Sequence, residues 1–202
     1  GLEKCKIQSE ILSGGFMNLS IIIPTLNEEK YIEKTLQSIG KGVEIIVVDG
    51  GSSDATVSIA EKLCAKVIKS EKGRGIQQDV GAKSAKGDVF LFLHADTILP
   101  DGWKKSITQL LMDDNIVGGA FLLGIAGTDL KSVPSVSKPM LKFITWTANI
   151  RAKYLGLIYG DQTIFVRSEP FFRINGFKGL PIMEDIDFIR RLKMEGKVNL
   201  IN

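Results

Sequence analysis

The sequence is poor in cysteine and histidine and carries little net charge. Its 202 residues include two cysteines and one histidine, and the formal net charge is +3. Cys5 and Cys64 stand far apart and outside any zinc motif. They therefore predict neither a disulfide framework nor a zinc site, and a reducing cytoplasm is the expected location. The small net charge does not indicate a nucleic-acid partner, and we expect none.

The sequence also lacks a long apolar run. No stretch reaches the roughly 18 to 20 apolar residues that a membrane span requires, so we expect no transmembrane segment. The nearest candidate, residues 141–160, contains three basic side chains and favours an amphipathic helix. Residues 1–18 lack the apolar core of a secretory signal and are interpreted as an N-terminal extension, with Met17 as a candidate natural start. Attachment to the inner face of a membrane is the alternative to a wholly cytoplasmic location.

Strands and helices alternate along the first half of the chain. Apolar runs predict strands covered on both faces, and the segments between them have apolar residues at helical spacing. The helix after the second strand is predicted to have Ser53 as its N-cap. The strands are predicted at residues 19–25, 44–50, 65–70 and 89–93. This alternation predicts an α/β fold, with a Rossmann-like, mainly parallel sheet and helices on both faces.

The second half of the chain has a less regular pattern. It predicts a helix at 103–113, a strand at 118–125, a polar loop at 126–140, a helix near 139–154, a strand at 161–168 and a helix that begins near Glu184. We interpret residues 19–202 as a single domain. Residues 19–97 form its predicted nucleotide-binding half, and residues 98–202 its predicted acceptor-binding half.

Polar residues follow the carboxyl ends of the predicted parallel strands, where ligands bind in such sheets. In VVDGGSSDAT, Asp49 leaves a buried strand, and the glycines and the following helix N-terminus suit an anion. Asp49 could hold a base or ribose; alternatively, Asp49 and Asp54 only organise the turn. In SEKGRG, Arg74 could stack on a base or bind a diphosphate, with a solvated turn as the alternative.

The apolar run VFLFL ends in the sequence HADT, which contains the only histidine. Asp96 is placed to ligate Mg²⁺ or Mn²⁺ between two phosphates, because these hard cations prefer carboxylate oxygen. His94 lies on the same face of an extended segment and could add a ligand. A lone histidine without a second histidine or cysteine nearby more often only forms hydrogen bonds.

The segment MEDIDFIRRL places Glu184, Asp185 and Asp187 in the first turn of a predicted helix. Acidic residues are common there because they complement the helix dipole. The functional interpretation is that one carboxylate acts as a general base, with a pKa raised by its neighbours.

Taken in order, the motifs SIIIPTLNE, VVDGGSSDAT, KGRG, FLHADT and INGF…MEDIDFIRRL resemble family 2 glycosyltransferases of the GT-A fold. The resemblance runs from about residue 19 to the C-terminus. HADT and YGDQTIFVR more narrowly resemble the small bacterial radical-SAM/selenodomain-associated, arsenosugar-biosynthesis-type glycosyltransferases. The resemblance implies inverting transfer of a sugar from a nucleoside-diphosphate sugar, typically a UDP-sugar, to a hydroxyl of a small-molecule or lipid-linked acceptor. It leaves open whether the protein forms a homodimer.

The resemblance also implies roles for individual residues. Asp185 matches the catalytic general base. Asp96 matches the last aspartate of the family's D-x-D metal motif, with His94 in place of the first, and this implies a Mg²⁺ or Mn²⁺ cofactor. Glu184 and Asp161 are expected near the acceptor. The nucleotide pocket is expected to be lined by Pro24, Thr25, Glu28, Asp49, Asp54, Arg74 and Ala95.

Two other functions are compatible with parts of the pattern. A nucleotidyltransferase also combines an α/β sheet with aspartates and a cation, but it would carry a glycine-rich basic loop after the first strand. That position here reads PTLNEE, which is acidic and lacks glycine. A non-catalytic nucleotide-sugar-binding protein would explain His94 in the metal motif, whereas the presence of Asp185 counts against it.

Overall fold

The computed structural model describes residues 17–63, 65–122, 163–180 and 182–201, and its centre is a seven-stranded sheet. The strands are β1 (Leu19–Thr25), β2 (Glu44–Asp49), β3 (Lys66–Lys69), β4 (Val89–Phe92), β5 (Ile116–Phe121), β6 (Ile164–Arg167) and β7 (Lys197–Ile201). They pair in the order β3-β2-β1-β4-β6-β5-β7. Within this sheet β6 runs antiparallel to both neighbours, β4 and β5, and the other pairings are parallel. The prediction of a mainly parallel sheet is confirmed.

Six helices in the described part of the chain cover the two faces of the sheet. They are α1 (Ile32–Ile39), α2 (Thr56–Lys62), α3 (Arg74–Ser84), α4 (Trp103–Leu110), α5 (Ser168–Arg173) and α6 (Glu184–Leu192). Buried side chains of α1, α2 and α4 share one core cluster, and those of α3, α5 and α6 share the other. Neighbouring residues of β1 alternate between them, so that Ile21 and Ile23 lie in the first cluster and Ile22 in the second. A strand covered on both faces has to be apolar at every position, which explains the continuous runs.

The second helix begins later than predicted. It starts at Thr56, with Ala55 rather than Ser53 at the N-cap position. The Ser53 amide instead donates to Oδ1 of Asn27, and the Thr56 amide donates to Oδ1 of Asp54. The prediction for Ser53 was wrong because its polar groups bind the loop after β1, a partner that is remote in sequence.

Two elements of the second half were not predicted. Helix α5 follows β6 without a break and is too short for a helical period to be recognised, and the edge strand β7 is only partly buried. The strand predicted at 118–125 is β5, which begins at Ile116 and ends at Phe121. The loop predicted at 126–140, the helix near 139–154, Asp161 and both cysteines lie outside the described residues. None of the described helices is long and apolar enough to cross a membrane.

Gly119→Ala is expected to lower the free energy of unfolding by about 1 to 3 kcal/mol, the usual cost of overpacking a core. A Cβ atom at position 119 would clash with the carbonyl oxygen of Asn199 and lie 2.5 Å from Cζ of Phe165. Both neighbours belong to strands paired with β5, so the pairing itself would have to shift. Denaturant unfolding measures the loss. Gly179→Ala is the matched control because a Cβ there meets nothing within 4 Å; equal losses in the two variants would contradict this explanation.

Candidate functional site

A cavity of about 400 Å³ opens at the carboxyl ends of β1 and β4, beside the first turn of α3. Three segments line it: the end of β1 with the following loop, the start of α3, and the segment after β4. The lining residues are Pro24, Thr25, Leu26, Glu28, Lys72, Gly73, Arg74, Gln77, His94, Ala95 and Asp96. Parallel strands end at one edge of the sheet, so these remote segments meet there. Most of the residues that the sequence analysis assigned to nucleotide and metal therefore lie around one cavity.

One side of this cavity is acidic. Burial raises the pKa of Glu28, and the nearby negative charges of Asp96 and Asp54 raise it further. Asp96 is exposed, so its carboxylate is accessible from the cavity. A cation bound beside Glu28 and Asp96 would reduce the repulsion between them.

The carboxylates of Glu28 and Asp96 suit a hard divalent cation that is bound partly by the protein and partly by a phosphate group. Among residues 17–63, 65–122, 163–180 and 182–201, no group of three or more histidine, cysteine, aspartate or glutamate side chains is arranged to hold a metal. A cation at Asp96 would therefore take further ligands from phosphates and water, as Mg²⁺ commonly does. His94 lines the same cavity and could supply a nitrogen ligand.

Asp49 and Asp54 organise the loop between β2 and α2. Asp49 is 2% exposed, and its carboxylate accepts hydrogen bonds from the amides of Gly51 and Ser52 and from the Ser52 hydroxyl. Asp54 accepts hydrogen bonds from the Thr56 amide and from the Glu29 amide. These contacts are the turn-forming roles that the sequence analysis left as the alternative. Contact of either aspartate with a nucleotide stays a prediction.

Two buried polar side chains that sequence reasoning missed hold the cavity walls together. Gln77 is 5% exposed, and its Nε2 donates to the carbonyl oxygens of Thr25 at 2.9 Å and Val48 at 2.8 Å. It thereby joins α3 to the ends of β1 and β2. Thr35 of α1 donates its hydroxyl to the carbonyl oxygen of Ala95 at 2.6 Å and so fixes the segment after β4. Polar residues in a helix are expected to face solvent, so neither residue gave a signal in the sequence.

The turn before α6 is fixed to both α3 and α6. Asp79 of α3 accepts a hydrogen bond from the Phe177 amide at 2.9 Å. Arg191 of α6 donates to the carbonyl oxygens of Ile174 and Gly176, each at 2.7 Å. These bonds join the turn to both helices, whose first turns lie close together where Arg74 approaches Glu184.

Aromatic packing fixes α6 relative to β4. The rings of Phe177 and Phe188 stack with their centroids 4.2 Å apart, and the Phe177 ring also meets Phe92 of β4 edge-on at 4.9 Å. All three side chains are buried. The candidate metal ligands His94 and Asp96 follow β4, so they and the acidic first turn of α6 are both connected to this strand.

The three acidic residues at the start of α6 have different surroundings. Oε1 of Glu184 lies 3.6 Å from Nη1 of Arg74, and Oδ2 of Asp187 accepts a hydrogen bond from Nε of Arg191 at 2.7 Å. Burial alone would raise the pKa of Asp187, but Arg191, with Lys178, holds it below its usual value. Asp185 lies between them, is 8% exposed, and accepts a hydrogen bond from the Ile186 amide. Asp187 is thus occupied by a structural ion pair.

Comparison with known proteins finds glycosyltransferases among the relatives of this chain. The chain is 32% identical over 131 residues to poly(ribitol-phosphate) beta-N-acetylglucosaminyltransferase TarS of Staphylococcus aureus, which covers 58% of this chain and 22% of that protein. It is 40% identical over 121 residues to dolichol-phosphate mannosyltransferase of Pyrococcus furiosus, covering 54% of this chain and 34% of that protein. The matched parts of the chain thus span only about a fifth to a third of these curated relatives.

Solved structures of the same kind share the fold. The crystal structure of S. aureus TarS 1–349 in complex with UDP superposes with a TM-score of 0.68 at 25% identity, covering 92% of this chain and 58% of that one. Glucosyl-3-phosphoglycerate synthase from Mycobacterium tuberculosis, in complex with Mg²⁺ and UDP, gives a TM-score of 0.63 at 21% identity over 96% of this chain and 72% of that one. These likenesses confirm the GT-A glycosyltransferase fold.

The family assignment comes from the sequence itself. The family model described as "Glycosyl transferase family 2" matches residues 20–174, more than half of the chain. The match runs from Ser20, the second residue of β1, through β6, and it includes every residue that lines the cavity. The chain belongs to glycosyl transferase family 2.

Proposed function

We propose that the protein transfers a sugar from a nucleoside-diphosphate sugar, a UDP-sugar in the first place, to an acceptor hydroxyl with inversion at the anomeric carbon. The main observation behind this proposal is that Glu28, Arg74 and Asp96 line one cavity. Asp185 lies in the helix α6, which contacts Arg74 through Glu184. TarS, which shares the fold at 25% identity, has been solved with UDP and with UDP-GlcNAc. Both facts support a nucleotide-sugar donor for this chain.

Each of these residues has a separate role in a single nucleophilic displacement at the anomeric carbon. Asp185 takes the proton of the acceptor hydroxyl while that oxygen attacks the anomeric carbon and the bond from this carbon to the diphosphate breaks. Arg74, whose side chain is half exposed at the cavity, binds the departing diphosphate through its planar guanidinium. Asp96, with His94 beside it, would hold the cation. When bound, Mg²⁺ or Mn²⁺ would neutralise negative charge that develops on the leaving diphosphate.

Other parts of the proposal rest on the sequence motifs. Glu184 and Asp161 were expected near the acceptor, and the acceptor is a small molecule or a lipid-linked hydroxyl. HADT and YGDQTIFVR support the narrower kinship with the small bacterial arsenosugar-type enzymes.

Calorimetric titration with UDP in the presence of Mg²⁺ or Mn²⁺, followed by a panel of UDP-sugars assayed for UDP release, tests the function. We expect saturable UDP binding that the cation strengthens. We also expect slow release of UDP from one or a few of the UDP-sugars. In a parallel assay, the protein is mixed with a nucleoside triphosphate and a sugar phosphate, the substrates of a nucleotidyltransferase. Release of pyrophosphate from that mixture would indicate a nucleotidyltransferase. Binding of UDP-sugars without turnover, with any acceptor offered, would indicate a non-catalytic binding protein.

A further inference from the structure

Glu184 lies where the first turns of α3 and α6 meet. Its side chain is 8% exposed, and its Oε1 is 3.6 Å from Nη1 of Arg74, the first residue of α3. The two helix starts are closely packed here: a Cβ at Gly75 would lie 3.2 Å from the carbonyl oxygen of Lys178, a tight contact, and 3.6 Å from Cβ of Glu184, an ordinary one. The positive ends of two helix dipoles therefore converge on one nearly buried carboxylate.

The two partners of this ion pair are exposed to very different extents. The Arg74 side chain is 49% exposed and lines the cavity, whereas the Glu184 carboxylate is held inside the protein. A nearly buried carboxylate needs a positive or hydrogen-bonding partner, and the Arg74 guanidinium is the positive group beside Glu184. At 3.6 Å the contact is an attraction between charges, and the planar guanidinium has five N–H groups with which to bind a ligand as well.

A long, exposed arginine loses conformational freedom when a ligand fixes it, and this loss weakens binding. A nearby buried charge that already restricts the side chain reduces the loss. Arg191, near the far end of α6, joins that helix to the turn at Ile174 and Gly176, and the helix carries Glu184 as its first residue. The position of Glu184 thus favours those Arg74 conformations in which the guanidinium stays at the cavity.

We propose that Glu184 is a positioning residue for the donor: it holds Arg74 at the cavity, ready to bind the diphosphate. This inference rests on the proposed function, because it requires a nucleoside diphosphate in the cavity. It differs from the expected contact of Glu184 with the acceptor, since it places the effect of Glu184 on the donor side of the reaction. Glu184 and Asp185 are adjacent in sequence but would then serve opposite substrates.

Calorimetry with UDP and no acceptor tests the proposal. Glu184→Gln is expected to weaken UDP binding about fivefold to tenfold, as removal of one charge-assisted contact commonly does. Uridine, which lacks the diphosphate, should bind both proteins equally. In an Arg74→Ala background, Glu184→Gln should have no further effect on UDP binding. Glu169→Gln is the matched control, because Glu169 is an 81% exposed residue in an ion pair with Arg173.

Each other outcome is decisive. Unchanged UDP affinity in Glu184→Gln, with a raised KM for the acceptor, would overturn the proposal in favour of an acceptor contact. Tighter UDP binding would show that Glu184 competes with the diphosphate for Arg74, and an undiminished effect in the Arg74→Ala background would show that Glu184 does not act through Arg74. If Glu184→Gln does not fold, Glu184→Asp keeps the charge, draws it away from Arg74 and should weaken UDP binding in the same direction. Failure of the unmodified protein to bind UDP would instead refute the proposed function.

Discussion

Asp185→Asn is expected to reduce sugar transfer by about 10³-fold, within the range for loss of a general base, and to leave UDP binding nearly unchanged. The amide has almost the same shape as the carboxylate, so the 8% exposed side chain can keep its place at the start of α6. The oxygen of the asparagine side chain can still accept the hydrogen bond from the Ile186 amide. The side-chain amide, however, cannot take a proton from the acceptor hydroxyl. UDP release in the presence of acceptor measures transfer, and calorimetry measures donor binding.

Asp187→Asn is the matched control for this substitution, two positions along the same helix. Because Arg191 and Lys178 hold the pKa of Asp187 below its usual value against the effect of burial, the ionised form stabilises the fold. That contribution is present above the unfolded-state pKa and is lost as the pH falls through the folded-state pKa. Asp187→Asn should therefore lower the Tm more at pH 7 than at pH 3 while most of the transfer activity remains. Full activity of Asp185→Asn, or equal losses in both variants, would refute the assignment of the base.

Asp96→Ala is expected to abolish the stimulation of transfer by Mg²⁺ or Mn²⁺ and to lower activity about 10²-fold or more, as does loss of one group that stabilises developing charge. The exposed Asp96 carboxylate lines the same cavity as Glu28. Burial raises the pKa of Glu28 most, and the negative charge of Asp96 raises it further. Without Asp96, a cation at this cavity would lose the carboxylate that we propose as its ligand. Activity measured across a titration of each cation tests this, together with UDP binding with and without the cation.

Asp101→Ala is the matched control for Asp96→Ala. Asp101 is another exposed aspartate a few residues further along the chain, and it does not line the cavity. Its cation titration should coincide with that of the unmodified protein. An unchanged cation titration in Asp96→Ala would exclude Asp96 as a ligand and would leave Glu28 and His94 as the acidic and imidazole groups to test in its place.

The first half of the fold could be predicted from local sequence because its signals are local. Strands β1 and β2 are apolar at successive positions since both of their faces are buried, and that pattern is visible without knowledge of their neighbours. Glu28 and Asp96 line one cavity for a related reason, because parallel strands that end in polar residues place those residues at one edge of the sheet. Strand β6 was predicted, but its antiparallel direction was not, and the half-exposed edge strand β7 was not predicted at all. Strand direction and edge position depend on the assembled sheet.

The sequence by itself determined which residue types stand at the strand ends and therefore where a nucleotide and a cation are to be expected. Only the tertiary structure decided which polar groups are occupied by the protein. It directs the Asp49 carboxylate into its own turn, uses Gln77 to join two strands, and pairs Glu184 with Arg74. The physical reason is that burial periodicity is a property of a single element, whereas hydrogen bonds and ion pairs between remote residues exist only when the elements have packed.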